Sequence, residues 1–189
     1  MATMLSLTAE VEHRDPSLGS HSERVTEIAQ AVARRLRCGP GDLRAIELGG
    51  PLHDIGKLTI PEEVLLKPGR LDQHELLQIR SHPQAGARLL EGVRALRAAL
   101  PCVLHHHERW DGSGYPFGLA GALIPRAARI LAVADAFDAM TTTRPYRRAL
   151  LLPEALHEVR RCAGTQFDPE ASDAFLVAWN AGEIRRAQH

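Results

Sequence analysis

Aromatic residues are scarce in this chain of 189: two Trp, two Tyr and four Phe, 4% of the total. Net charge is absent too, since Lys+Arg and Asp+Glu both total 23. No bulk field exists to hold duplex nucleic acid or an anionic membrane, so any anionic ligand must be gripped by residues placed locally. Lysine occurs only at positions 57 and 67. The cysteines, Cys38, Cys102 and Cys162, are odd in number, far apart and without CxxC spacing. That excludes a disulfide framework or zinc knuckle and suits reduced thiols in a cytoplasmic chain. No apolar run approaches the roughly 20 residues needed to span a bilayer, and "MATMLSLTAEVEHRD" meets acidic residues too early for a signal peptide. Strand-like alternation is missing as well.

What remains is helical periodicity, with apolar residues recurring at three and four. The expected fold is an all-α globular bundle of about seven helices. "SHSERVTEIAQAVARRLRCGPG" opens with a capping-box pattern, Ser20 with Glu23, and carries Val25, Ile28, Val32 and Leu36 on one face before Gly39-Pro40-Gly41. Asp42 is then expected to cap a helix running to about Ile55, closed by Gly56. "TIPEEVLLKPGRL" reads as a connecting loop with one turn. Short helices flank Pro83, and another runs from about Val93 into "HHH" at 105–107. "IPRAARILAVADAFDAM" is strongly apolar and is expected to cross the middle of the domain. Two further helices start at Pro153 and Pro169, prolines suited to a first helical turn.

Polar residues fall on these apolar faces. His21 precedes Val25 by one turn and so projects from the buried stripe, where an imidazole needs a partner. His53 and Asp54 sit near the end of an apolar helix, where adjacent imidazole and carboxylate can also simply cap that end. Asp135 lies among Leu131, Ala134 and Met140, where an unpaired carboxylate is very costly. Its partner is then either a distant Arg or a bound metal. His82, His106 and His107 complete a pool of five histidines and two aspartates. Imidazole with carboxylate suits Fe, Mn, Zn, Ni or Co rather than Ca or Mg. Spacing alone leaves a metal site and scattered polar core residues both open.

Taken in order, "HSERV", "LHDIGK", "KPGRL", "SHP", "HHERWDGSGYP", "ARILAVADAFDAM", "RPYR" and "GTQFDP" resemble the HD-GYP family of bacterial cyclic di-GMP phosphodiesterases, a branch of the HD-domain metal phosphohydrolases. The resemblance runs from about Arg14 to Phe175, implying a lead-in over residues 1–13 and one catalytic domain over 14–189. It implies metal ligands at His21, His53, Asp54, His82, His106, His107 and Asp135, with Asp54 shared by two divalent metals. Fe is the first expectation, with Mn, Ni, Co and Zn as alternatives. Some relatives carry a Glu four residues before the first ligand histidine that supports a third metal. This chain has Ser17 there, so two are expected.

The resemblance further makes Lys57 a phosphate-contacting residue that, with Asp54, serves catalysis. Arg144 and Arg147 become phosphate grips, with Arg148 as a substitute, and Asp15 reaches a guanine edge. Trp110, Tyr115 and Phe117 either plug the Gly-rich loop or offer a ring to a base, and Tyr115 is the candidate for substrate contact. His105 is expected at the surface or behind the ligands. The implied reaction is hydrolysis of cyclic di-GMP to linear pGpG, and to GMP after a second cut. A partner with a GGDEF domain is implied through the GYP loop, and a homodimer is compatible with the family. Two rivals stand beside this: a poorly catalytic module that binds cyclic di-GMP or a GGDEF partner, and an HD phosphohydrolase of another nucleotide. The intact ligand set counts against the first and the GYP segment against the second.

Overall fold

The computed structural model describes residues 20–143 and 148–184. The expected sites Asp15, Ser17, Arg144 and Arg147 lie outside them. In chain order the helices are α1 (His21–Arg35), α2 (Pro40–Gly49), the single turn α3 (Glu62–Leu65), α4 (Gln73–Arg80), α5 (His82–Glu91), α6 (Leu100–His105), α7 (Arg126–Thr141), α8 (Leu152–Arg161) and α9 (Pro169–Asn180). Tight 3₁₀ turns at Ile55–Thr59 and Arg94–Ala99 lead into α3 and α6. No strand forms among the described residues, only isolated bridges pairing Asp111 with Ala120 and Ala163 with Phe167. The fold is all-α, as its periodicity predicts.

α7 crosses the middle, burying Ile130, Leu131, Val133 and Ala134 completely. α1 packs along it through Val25, Ile28 and Val32, the stripe that the sequence predicts, and α8 and α9 close the same core with Val159 and Phe175. A second, smaller core joins Leu52, Ile55, Leu90 and Val103 from the middle of the chain. Fully burying each such side chain contributes roughly 1.5–3 kcal/mol. The polar cluster described below draws residues from the elements of both cores, and the apolar packing around it offsets the cost of burying it. Among the described residues no helix is long and apolar enough to cross a membrane.

α1 begins directly after Ser20, as expected, but two caps differ from the sequence reading. Ser20 does not cap α1: its backbone is left-handed, at φ 56°, and its side chain makes no capping bond. A side chain in that conformation is turned away from the N3 amide that a capping box requires. Asp42 does not open α2 either, because Pro40 already occupies the first turn, and the helix ends at Gly49 rather than near Ile55. His53 and Asp54 therefore sit in the turn that follows, free of helical periodicity. Gly56 closes no helix. A methyl group there would collide with the His82 carbonyl oxygen and come within 2.6 Å of the Gly86 amide nitrogen, so glycine is what lets the Asp54 turn lie against the start of α5.

Candidate metal centre

The expected ligand positions meet in one place although they come from five elements. His21 opens α1, His53 and Asp54 occupy the turn after α2, His82 opens α5, His106 and His107 follow α6, and Asp135 projects from mid-α7. His21, His53, Asp54, His82 and His106 are buried, and Asp135 and His107 are partly so. Two overlapping groups each bring ligand atoms together: Asp54 with His82, His106 and His107, and Asp54 with His21 and His53. Asp54 belongs to both. Asp135 faces the second group, with Oδ1 at 3.2 Å from His21 Nε2 and 4.0 Å from His53 Nε2.

The hydrogen bonds fix which ring nitrogen faces inward. A carbonyl or ionised carboxylate oxygen can only accept, so a ring nitrogen bonded to one carries the proton. His53 Nδ1 donates to the Gly50 carbonyl at 2.7 Å, and His82 Nδ1 to that of Ile79 at 2.8 Å. His106 Nδ1 is shared between the carbonyls of Cys102 and Val103, each at 3.1 Å. His21 Nδ1 donates to Asp138 Oδ2 at 2.6 Å. All four rings consequently present Nε2 to the centre. His53 Nε2 is buried with no hydrogen-bond partner, and His82 Nε2 faces His106 Nε2 at 3.2 Å. With both Nδ1 protons committed to backbone carbonyls, those two nitrogens are aimed at one point beside Asp54. Such an arrangement calls for a cation between or beside them.

Protonation equilibria point the same way. Burial, reinforced by neighbouring imidazoles, holds His106 well below the ordinary histidine range, and burial brings His107 down to about 4. Burial also lowers His53 despite the nearby carboxylates. These rings are neutral and ready to coordinate near pH 7. Burial opposes ionisation of Asp54, but Lys57, His53 and His82 outweigh it and hold the carboxyl well below its usual range. His21 is the exception: burial opposes its charge, yet bonds to Asp135 and Asp138 prevail and raise it to about 9. Neutral imidazole nitrogens converging on ionised carboxylates are the donor set of a borderline transition metal.

The remaining sequence candidates divide. Lys57 Nζ lies 2.7 Å from Asp54 Oδ2, so it is part of the cluster and not a free surface lysine. Tyr115 stacks on His107 with centroids 4.8 Å apart and planes at 28°, and the Arg80 guanidinium sits 5.4 Å from its ring centre. Trp110 instead lies beside Arg129, and the half-exposed Phe117 packs on His105, so neither ring reaches the cluster. Arg148 is exposed.

Sequence reasoning missed Glu108, Asp138, Arg24 and Arg80. Buried Glu108 accepts the amides of Phe117 at 2.9 Å and Leu119 at 3.1 Å, tying the Gly-rich loop to the end of α6. Gly114 passes so close to Glu108 Cα and the His107 carbonyl that a side chain would have to enter the backbone, each contact being 2.6 Å. The loop is tied on its other side by Asp111, whose amide donates to the Thr165 carbonyl at 2.8 Å. This explains why "GTQFDP" accompanies the loop. Position directly after the histidine run was the one available signal for Glu108. For Asp138 it was the three-residue step from Asp135 along α7.

A helical scaffold that gathers a His-Asp dyad with five further imidazole and carboxylate donors at one buried point defines the HD class of metal centre. The chain belongs to the HD domain family, whose pattern matches residues 6–171. It is 43% identical over 176 residues to "Cyclic di-GMP phosphodiesterase response regulator RpfG" of Xanthomonas campestris pv. campestris, covering 92% of this chain and 47% of that protein. It is also 43% identical over 140 residues to "3'3'-cGAMP-specific phosphodiesterase 1" of Vibrio cholerae serotype O1, covering 74% of this chain and 32% of that protein. The chain thus spans less than half the length of these relatives. Among solved structures, a cyclic GMP-AMP specific phosphodiesterase of V. cholerae (V-cGAP3) superposes with a TM-score of 0.73 at 19% identity over 98% of this chain and 50% of that one. That likeness concerns the fold alone. The resemblance drawn from the ordered motifs is borne out.

Proposed function

We propose that this chain is a binuclear metal phosphodiesterase that opens cyclic di-GMP to linear pGpG, in the cytoplasm, as a bacterial second-messenger hydrolase. The observation that carries the hydrolase reading is the pair of facing Nε2 atoms of His82 and His106, 3.2 Å apart beside the ionised Asp54. They fit a divalent cation, and the sharing of Asp54 between two ligand groups supports a pair of ions. Fe is the first choice, with Mn, Ni, Co or Zn as alternatives. When bound, such ions supply Lewis acidity, lowering the pKa of a water and neutralising phosphate charge.

The chain's own residues do the rest. Asp54 bridges the two halves of the centre, and Asp135 neutralises it from α7. Lys57, with Nζ 2.7 Å from Asp54 Oδ2, would offer its ammonium to the non-bridging oxygens of the scissile phosphate. Arg144, Arg147 and Asp15, which the family resemblance implies, bind the second phosphate and a guanine edge, with exposed Arg148 in reserve. Arg80 adds a cation beside Tyr115. His107 stacks on Tyr115 and the Arg80 guanidinium lies over the same ring, so a guanine base meets the ring at its edge. The Glu108-anchored loop holds Tyr115 over the centre and presents its outer side to a GGDEF-domain partner or a second copy of the chain. The catalytic unit is residues 14–189, behind a lead-in of 1–13.

A second substrate reading rests on the relative named for 3'3'-cGAMP. The two dinucleotides differ in one base and share the phosphates that the centre would engage. Parallel hydrolysis of cyclic di-GMP and 3'3'-cGAMP by the metal-loaded protein, with products separated by chromatography, decides between them. Faster turnover of cyclic di-GMP by tenfold or more is the expected result, and preference for 3'3'-cGAMP reverses the assignment.

A further inference from the structure

His53, His82 and His106 donate from Nδ1 to backbone carbonyls that the fold holds in place. His21 does not. Its Nδ1 proton goes to the side chain of Asp138 at 2.6 Å, across 117 residues of sequence. Asp138 is 4% exposed and is itself clamped: Arg24 Nε donates to Oδ1 at 2.6 Å and Nη2 to Oδ2 at 3.0 Å, a two-point grip that fixes the carboxylate plane. Thr142 Oγ1 lies 3.5 Å from the same Oδ2. Asp135 and Asp138 are three residues apart on α7, on one helix face, so His21 is pinched between them, Nε2 toward Asp135 and Nδ1 toward Asp138. Arg24 is one turn from His21 on α1. The clamp therefore ties the two ends of this contact together from both helices.

A carboxylate on the outer nitrogen fixes the ring's tautomer and orientation and makes the inner nitrogen a stronger donor. We infer that Asp138, held by Arg24, is a positioning residue for His21 and sets the affinity of one metal position while leaving the other untouched. The asymmetry follows from the ligand groups. His21 belongs with His53 and Asp54, whereas the group of Asp54, His82, His106 and His107 does not contain it. The inference rests on the reading of the cluster as a two-metal centre.

The test is equilibrium dialysis of the anaerobically purified, metal-stripped protein against graded Mn²⁺, with bound metal counted per chain and the fold checked by far-UV circular dichroism. Wild type is expected to bind in two steps. Asp138→Ala is expected to weaken one step by roughly 10–100-fold, the usual effect of losing such an outer partner, and to leave the other within twofold. Asp138→Asn, which keeps the shape and one acceptor oxygen, is expected to fall between them and provides a folded variant if the alanine form collapses. Two wild-type steps in a folded Asp138→Asn and Asp138→Ala, with only the melting temperature lowered, would make Asp138 merely structural. Equal weakening of both steps would refute the claimed asymmetry. Absence of any Mn²⁺ binding by the wild type is a separate failure, since it removes the metal centre itself.

Discussion

The Nε2 atoms of His82 and His106 face one another at 3.2 Å, each on a ring whose Nδ1 proton is committed to a backbone carbonyl. Two imidazole nitrogens aimed at one point by backbone acceptors are placed to coordinate a divalent cation. Metal removal is therefore expected to destabilise the protein. At a metal concentration 1,000 times the dissociation constant, binding to the folded state alone contributes about 4 kcal/mol. Melting curves with and without a chelator should show a fall of several degrees, reversed by added divalent metal. An unchanged melting temperature would mean that the cluster holds no ion.

Asp54 is the residue common to both ligand groups. Asp54→Ala is expected to lose both metals and all phosphodiesterase activity, whereas loss of a single-group ligand such as His21 should spare part of the metal. Elemental analysis of the two variants checks this, and two metals retained in Asp54→Ala would contradict the bridging role. Two metals per chain is the expected wild-type stoichiometry.

His107 and Tyr115 lie ring on ring, 4.8 Å apart, yet are expected to fail differently. His107→Ala should lower both metal content and turnover, because a methyl group offers no donor. Tyr115→Ala should keep its metal and weaken substrate binding by roughly 1–3 kcal/mol, the range for a base–aromatic contact. Metal content and steady-state kinetics on the pair separate the roles. A raised KM in neither variant, with only thermal stability reduced in Tyr115→Ala, would make the tyrosine a plug for the loop.

Much of this was legible in the sequence, and what was not has physical causes. The stripe on α1 and the apolar run of α7 follow from helical period, and His21 and Asp135 stand out as polar residues stranded on those faces, whereas His53, Asp54, His82, His106 and His107 were marked by the ordered motifs. Asp135 was expected to need a distant Arg or a metal. The structure places the arginine, Arg24, on Asp138 instead and leaves Asp135 facing imidazoles. Only tertiary distance distinguishes two aspartates three residues apart. The caps of α1 and α2 were misread because Ser20 and Asp42 are capping types by composition, while local backbone conformation and Pro40 decided the outcome. Glu108 drew no reading from the sequence. Its burial depends on a loop that returns nine residues later to supply amide donors.

Gly56 gives a stability test independent of any ligand. Its missing side chain is what admits the His82 carbonyl and the Gly86 amide. Gly56→Ala is expected to cost at least 2 kcal/mol, toward the upper end of overpacking effects of about 1–3 kcal/mol, and to displace His82 and so reduce metal content. Denaturant unfolding of the metal-free variant measures the first effect. A loss below about 0.5 kcal/mol would mean that the turn and α5 part easily.

Metal uptake should also be linked to pH through His21. Without metal its pKa is raised to about 9, so at pH 7 it carries a proton on Nε2 that coordination must expel. His107, at about 4, releases none at that pH. Calorimetric metal titrations at pH 7 in buffers of different ionisation enthalpy should report release of about one proton per chain from this group, disappearing above pH 9. In the metal-free protein the sign is opposite to the usual carboxylate case. A histidine with a raised folded pKa contributes its stability below its unfolded value, near 6.5, and loses that contribution as pH climbs through 9. Metal-free stability that rises over this window would contradict the assignment.

The central claim is that this buried cluster hydrolyses cyclic di-GMP when loaded with divalent metal. The direct measurement is chromatography of cyclic di-GMP incubated with anaerobically purified protein of known metal content, before and after chelation. The account predicts linear pGpG that accumulates in proportion to bound metal and stops on chelation. Intact cyclic di-GMP after incubation with folded protein carrying two metals per chain would contradict it.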